Sequence, residues 1–250
     1  MELSIELISL LVVVAACAGF IDAAAGGGGL ITIPTLMLTG MTPVQALGTN
    51  KFQACFGSFS ASLHFFRQGI VNPKRIWKWI LSVAIASALG AYAVQQIDSK
   101  LLLQFMPFIF IAIALYSFFS KSLGEAETSQ RISPNQYSLT AAPAIGFYDG
   151  FAGPGTGTFF ALTCVKLLGM NFVKATAHAK VMNFTSNIFS LMVFIGGGEV
   201  VWVLGMCMAV GQFIGGRLGA KTVIRKGAGF IRAITVIVCI AISIGLLVRG

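Results

Sequence analysis

Two stretches decide the fold. The first runs Gly19-Phe20-Ile21-Asp22 and then, three alanines later, Gly26-Gly27-Gly28-Gly29. The second runs Gly146-Phe147-Tyr148-Asp149 and reaches Gly153-Pro154-Gly155, at an offset of 127 residues. Further along, Gly40-Met41 matches Gly169-Met170, Ala46 matches Ala175 and Lys51 matches Lys180, now at an offset of 129. Leu89-Gly90-Ala91 then matches Leu218-Gly219-Ala220. Motifs repeated in one order indicate an internal duplication.

The setting of these motifs is apolar. Of 250 residues 56% are hydrophobic and only 10% are charged, against about 25% charged in soluble domains. The mean hydropathy is +0.87. Each half reads as five apolar segments, at about 3–24, 28–40, 43–67, 76–97 and 101–120, then 137–150, 155–169, 172–196, 200–220 and 230–249. In lipid the backbone must satisfy its own hydrogen bonds, so these segments are helices. The expected fold is therefore all-α: a polytopic helical membrane protein of roughly 8–10 membrane segments. Its units are a first membrane repeat at 1–120, a polar linker at 121–136 and a second membrane repeat at 137–250. The glycine-flanked segments are short, and either cross a thinned bilayer or re-enter from the side they left. A Val14-Ala15-Ala16-Cys17 box lacks the basic residues of a cleaved signal, so the first segment is expected to be retained.

Net charge is +9, from 17 basic and 8 acidic residues. The basic residues stand between apolar segments, which points to lipid headgroups and not to nucleic acid. After the third segment the first half carries Arg67, Lys74, Arg75 and Lys78, where the second carries Glu199. After the fourth the bias reverses, with Asp98 and Lys100 against Lys221, Arg225, Lys226 and Arg232. By the positive-inside rule the two repeats have inverted topology, the linker is cytoplasmic and both termini are not.

Charges within membrane segments mark function. Asp22 and Asp149 sit beside the glycine runs, and Lys51 and Lys180 near the starts of the third segments. Thr42-Pro43 is a helix start, with Thr as N-cap. From it Lys51, Cys55, Ser58 and Ser62 share one helical face, as do Lys180, Asn183 and Asn187 in the second copy. Asn50 and His178 adjoin the lysines. Lysines, amides and backbone N–H groups at Gly27, Gly28 and Gly155 favour an anion. The aspartates are expected to hold the lysines or carry a coupling proton. Cys17, Cys55, Cys164, Cys207 and Cys239 have no metal-ligand spacing, so neither metal nor cofactor is expected.

Gly19 to Pro34 and Ala46 to Lys51, with Gly146 to Gly155 and Ala175 to Lys180, resemble the TauE/SafE family, also called the sulfite exporter or TSUP family. The likeness runs over nearly the whole chain. It implies a permease of the bacterial inner membrane, multi-pass, related to exporters of sulfite and organosulfonates. The expectation is secondary export of a small sulfur-containing oxyanion by a protein that is not an enzyme. An anion channel stands as the alternative, a membrane-embedded enzyme as a weaker one. The expected partners are the small anion and the lipid bilayer, with a homodimer as one assembly open to the chain.

Overall fold

The computed structural model describes residues 5–106, 108 and 126–249, with side chains to 225. Described residues form helices and connecting turns, with no strand among them. The helices are α1 (Ile5–Ala25), α2 (Gly29–Leu38), α3 (Pro43–Arg67), α4 (Trp77–Gln95), α5 (Pro134–Leu139), α6 (Ala141–Phe151), α7 (Thr156–Leu168), α8 (Phe172–Gly196) and α9 (Trp202–Arg249). Residues 99–106 are helical too; most of the apolar segment at 101–120 lies outside the described residues.

Four stretches are long and apolar enough to cross a bilayer: Ile5–Ala25, Trp77–Gln95, Phe172–Gly196 and Trp202–Arg225. The chain is a polytopic helical membrane protein. At 25 residues α3 matches α8 in length, about 37 Å. It is too polar to count among the four, because it lies inside: protein, not lipid, surrounds Thr49, Asn50, Lys51, Gln53 and Ser58. Thr42 caps it as expected, accepting from Gln45 N–H while Gln45 reaches back to the Thr42 N–H, with Pro43 in the first turn. Asn171 caps α8 with a single bond, accepting from the Lys174 N–H.

The helices pack with the halves exchanged. Helix α1 lies along α9, and α6 lies along α4. Helix α3 packs on α9 and α8, and α8 on α4. Even the close approaches recur. Gly219 of α9 lies on the Phe20 carbonyl of α1, and Gly90 of α4 on the Phe147 carbonyl of α6. Small residues at such crossings let the backbones approach.

The loops sort to two sides. On one, Lys78 donates to Asn135 and Trp79 to the Pro134 carbonyl, so the basic loop meets the linker end. Glu127 pairs there with Lys174 at 2.7 Å. On the other, the 197–201 loop meets Gln95 and the start of α3, with Val201 N–H donating to Thr49.

Two boundaries differ from the sequence reading. The segments at 200–220 and 230–249 are one continuous helix, α9. No proline lies between them to interrupt the hydrogen-bond ladder. At 48 residues it is about 72 Å long, so only part of it lies across the membrane. The segment at 137–150 is broken at Thr140, between α5 and α6.

Candidate functional site

The site begins with the two glycine turns. Gly26 (φ 82°) and Gly153 (φ 89°) are equivalent in the repeat and both adopt the left-handed conformation, which glycine enters without steric cost. After Gly26 the chain reverses: Gly28 packs against Asp22 and the Ala18 carbonyl, back along α1. Helix α2 then runs only 10 residues, about 15 Å, too short to cross. The two turns also meet each other. Gly26 is packed against Gly157 and Gly29 against Pro154, and the Thr158 hydroxyl donates to the Ala25 carbonyl.

Above the turns stand the lysines. Each pairs with the aspartate of the other half. Lys51 reaches Asp149 at 2.7 Å, and Lys180 reaches Asp22 at 2.8 Å. Both lysine side chains are 1% exposed. Glycine makes room for them: a Cβ on Gly157 would stand 2.9 Å from the Lys180 Nζ.

The two pairs differ in their surroundings. Asp149 also accepts from Thr156 at 2.9 Å, from Asn183 at 3.4 Å and, in a short contact, from Ser186. Its side chain is 2% exposed. Asp22 accepts, beyond Lys180, from the Gly28 N–H at 3.3 Å, and is 18% exposed. Asn187 fixes Lys51 from the other side: its Oδ1 accepts from Nζ at 3.3 Å while its Nδ2 donates to Ser58.

Between the pairs lies a cavity of about 20 Å³, room for about one water molecule. It is lined by Asp22, Gly28, Gly29, Asn50, Lys51, Ala54, Asp149, Gly153, Asn183, Asn187 and Gln212. Of the residues singled out in the sequence, the structure gathers Asp22, Asp149, Lys51, Asn50, Asn183, Asn187 and Gly28 here, with Lys180 against Asp22. Gly27 packs on Ile21 and Leu30, outside the lining. Gly155 begins α7, also outside it. His178 turns away altogether. Its ring lies 5.9 Å from that of Trp79, and its Nδ1 bonds the Lys174 carbonyl at 2.8 Å.

Two features of the site escape the sequence. One is the chain of Thr32, Asn50 and Gln53: the Asn50 Oδ1 accepts from Thr32 at 2.5 Å and from Gln53 at 3.3 Å. The other is Gln212 of α9, 3% exposed, lining the cavity and packed over Gly19 and Gly57. No hydrogen bond of its amide is found among the described residues. The repeat offset places Val83 opposite it, and Val83 packs over Gly146 as Gln212 does over Gly19.

Comparison with known proteins bears on this arrangement. The family model for the sulfite exporter TauE/SafE matches residues 11–246. A probable membrane transporter protein of Haemophilus influenzae is 49% identical over 95% of the chain and 93% of its own length. The probable membrane transporter protein YfcA of Escherichia coli is 46% identical over 96% and 90%. YunE of Bacillus subtilis, named in the same way, is 24% identical over 96% and 97%. No solved structure matches.

Proposed function

Since the chain belongs to the sulfite exporter TauE/SafE family of bacterial membrane transporters, we propose that the cavity between α3 and α8 is the site of a secondary transporter for a small sulfur-containing oxyanion. The substrate is of the sulfite or organosulfonate class and the direction is export. The observation that carries this reading is the burial of two lysine ammonium groups, about a third of the way along two matched helices: Lys51 lines one polar cavity, and Lys180 pairs with Asp22 in the wall of that cavity. Buried cations of this kind are expensive in a membrane and serve a substrate or ion path. The start of α2 adds to them, because Gly29 leads the helix and lines the cavity, so the positive end of the helix dipole lies there.

The cavity as it stands has room for about one water molecule, too little for an oxyanion. It represents a closed form, and substrate enters when the ion pairs part and one half moves against the other. The exchanged packing of α1 on α9 and α6 on α4 supports two inverted repeats, 1–120 and 137–250, joined by a cytoplasmic linker. Asn50 and Asn183 then supply polar contacts beside the lysines, Asn187 holds Lys51 in place, and the aspartates hold the lysines between transport events or carry the coupling proton.

Reconstitution in proteoliposomes tests the reading. Sulfite and sulfonate exchange should show acceleration by substrate on the far side, which a channel does not give. The Lys51→Ala/Lys180→Ala protein should lose flux. Undiminished flux in that variant would remove the lysines from the site.

A further inference from the structure

The charges around the cavity sum to zero. Lys51 and Lys180 face Asp149 and Asp22, two against two. A site with two free lysines would attract an anion; this one is already neutralised. An anion entering alone would displace a carboxylate from its lysine and leave the centre with one unbalanced negative charge, away from water. That is a costly state. Neutrality returns if a carboxylate takes up a proton as the anion arrives.

Building on the anion-site reading above, we infer that each anion enters together with one proton, and that the proton is carried by Asp22 and not by Asp149. In the empty state both carboxylates are ionised and paired. A proton from solution binds an Asp22 carboxylate oxygen, the Lys180–Asp22 contact parts, and the Lys180 ammonium takes the anion as its new counterion. On release the proton leaves Asp22 and the pair re-forms. One anion and one proton move together, and the centre carries the same net charge before and after.

Geometry separates the two carboxylates. Asp149 accepts from four side chains, Lys51, Thr156, Asn183 and Ser186, and is sealed at 2% exposure. A proton there would meet donors at every approach. Asp22 accepts from Lys180 and one backbone N–H and is 18% exposed, so its oxygens have room for a proton and a way for it to arrive. Neighbouring elements bring these groups to Asp22 and the cavity it lines. Lys180 comes from α8, Lys51 and Asn50 from α3, Asp149 from α6, and the neutral Gln212 from α9. Helix α7 contributes Gly157 beside Lys180. Among the described residues Asp149 is the only other acid lining the cavity.

Methanesulfonate is a suitable probe, being a fixed monoanion across the working pH range, so that any proton taken up belongs to the protein. Its binding to the purified full chain is measured by titration calorimetry from pH 5.5 to 8.5 in buffers of different ionisation heat, which counts protons. The wild type should take up one proton per anion, and its affinity should fall about tenfold per pH unit in the upper range. Asp22→Asn should bind with no proton uptake and no pH dependence. Asp22→Glu, which keeps a carboxyl, should shift the protonated-carboxyl infrared band that anion binding produces, so the assignment stands on a second variant if the first fails to fold. Binding without proton uptake in the wild type, or uptake that persists in Asp22→Asn, would overturn the inference alone. An absence of binding by methanesulfonate and sulfite at every pH would overturn the anion-site reading and this inference with it.

Discussion

The Lys51–Asp149 and Lys180–Asp22 pairs are built from matching positions of a duplicated chain, yet one is sealed and the other is partly open. Around Asp149 the second half has placed Thr156, Asn183 and Ser186. Around Asp22 the first half offers glycine and alanine at the related positions, Gly29, Ala54 and Gly57. The cavity takes up space where those side chains are missing. In the proposed transport cycle the divergence of their neighbours makes Lys51–Asp149 the fixed anchor and Lys180–Asp22 the pair able to part.

The largest expected effect is on the sealed pair. Asp149→Ala strands the Lys51 ammonium at 1% exposure, and should lower stability by about 3–5 kcal/mol. Thermal unfolding in detergent measures it. Replacing both partners, as Lys51→Met/Asp149→Leu, removes the buried charge and should recover part of that loss while abolishing transport; the remainder reflects Thr156, Asn183 and Ser186, which lose their acceptor. Asp22→Ala strands Lys180, also at 1% exposure, but on the more open side and with one other donor orphaned instead of three, and should cost less, about 1–3 kcal/mol. An equal loss at 22 and 149 would erase the asymmetry. Gly157→Ala sets a Cβ 2.6 Å from the Gly26 Cα and 2.9 Å from the Lys180 Nζ. It should also destabilise by about 1–3 kcal/mol, whereas Gly29→Ala, 3.4 Å from the Pro154 Cα, should be milder. The smallest effect belongs to Gln212→Leu. Gln212 lines the cavity, so in the proposed site its amide is free to donate to the anion; loss of one such hydrogen bond, about 1 kcal/mol, should weaken methanesulfonate binding about fivefold with the unfolding temperature unchanged.

Much of this was legible in the chain. Composition announced membrane helices, and two in-order sets of motifs point to a duplication. The charges at 22, 51, 149 and 180 stood out because an apolar background makes each one costly. What could not be read were features set by rotation around a helix and by contacts between distant segments. His178 looks like a neighbour of Lys180, but two residues along an α-helix turn about 200°, so it faces Trp79 while Lys180 faces Asp22. Gln212 carries no charge and has no polar counterpart in the first half, where Val83 stands, so neither burial cost nor repetition marked it. The stretch between the last two apolar segments is basic, with Lys221, Arg225 and Lys226. Basic side chains do not end a helix, and α9 continues through them.

The central claim is that each lysine is held by the aspartate of the opposite half. Charge exchange tests it most directly, read as the thermal unfolding temperature of the purified protein. Lys51→Asp should lower that temperature sharply, and adding Asp149→Lys should restore most of the loss. Adding Asp22→Lys to Lys51→Asp should not. Rescue by the exchange within one half, without rescue by the exchange across halves, would contradict the account.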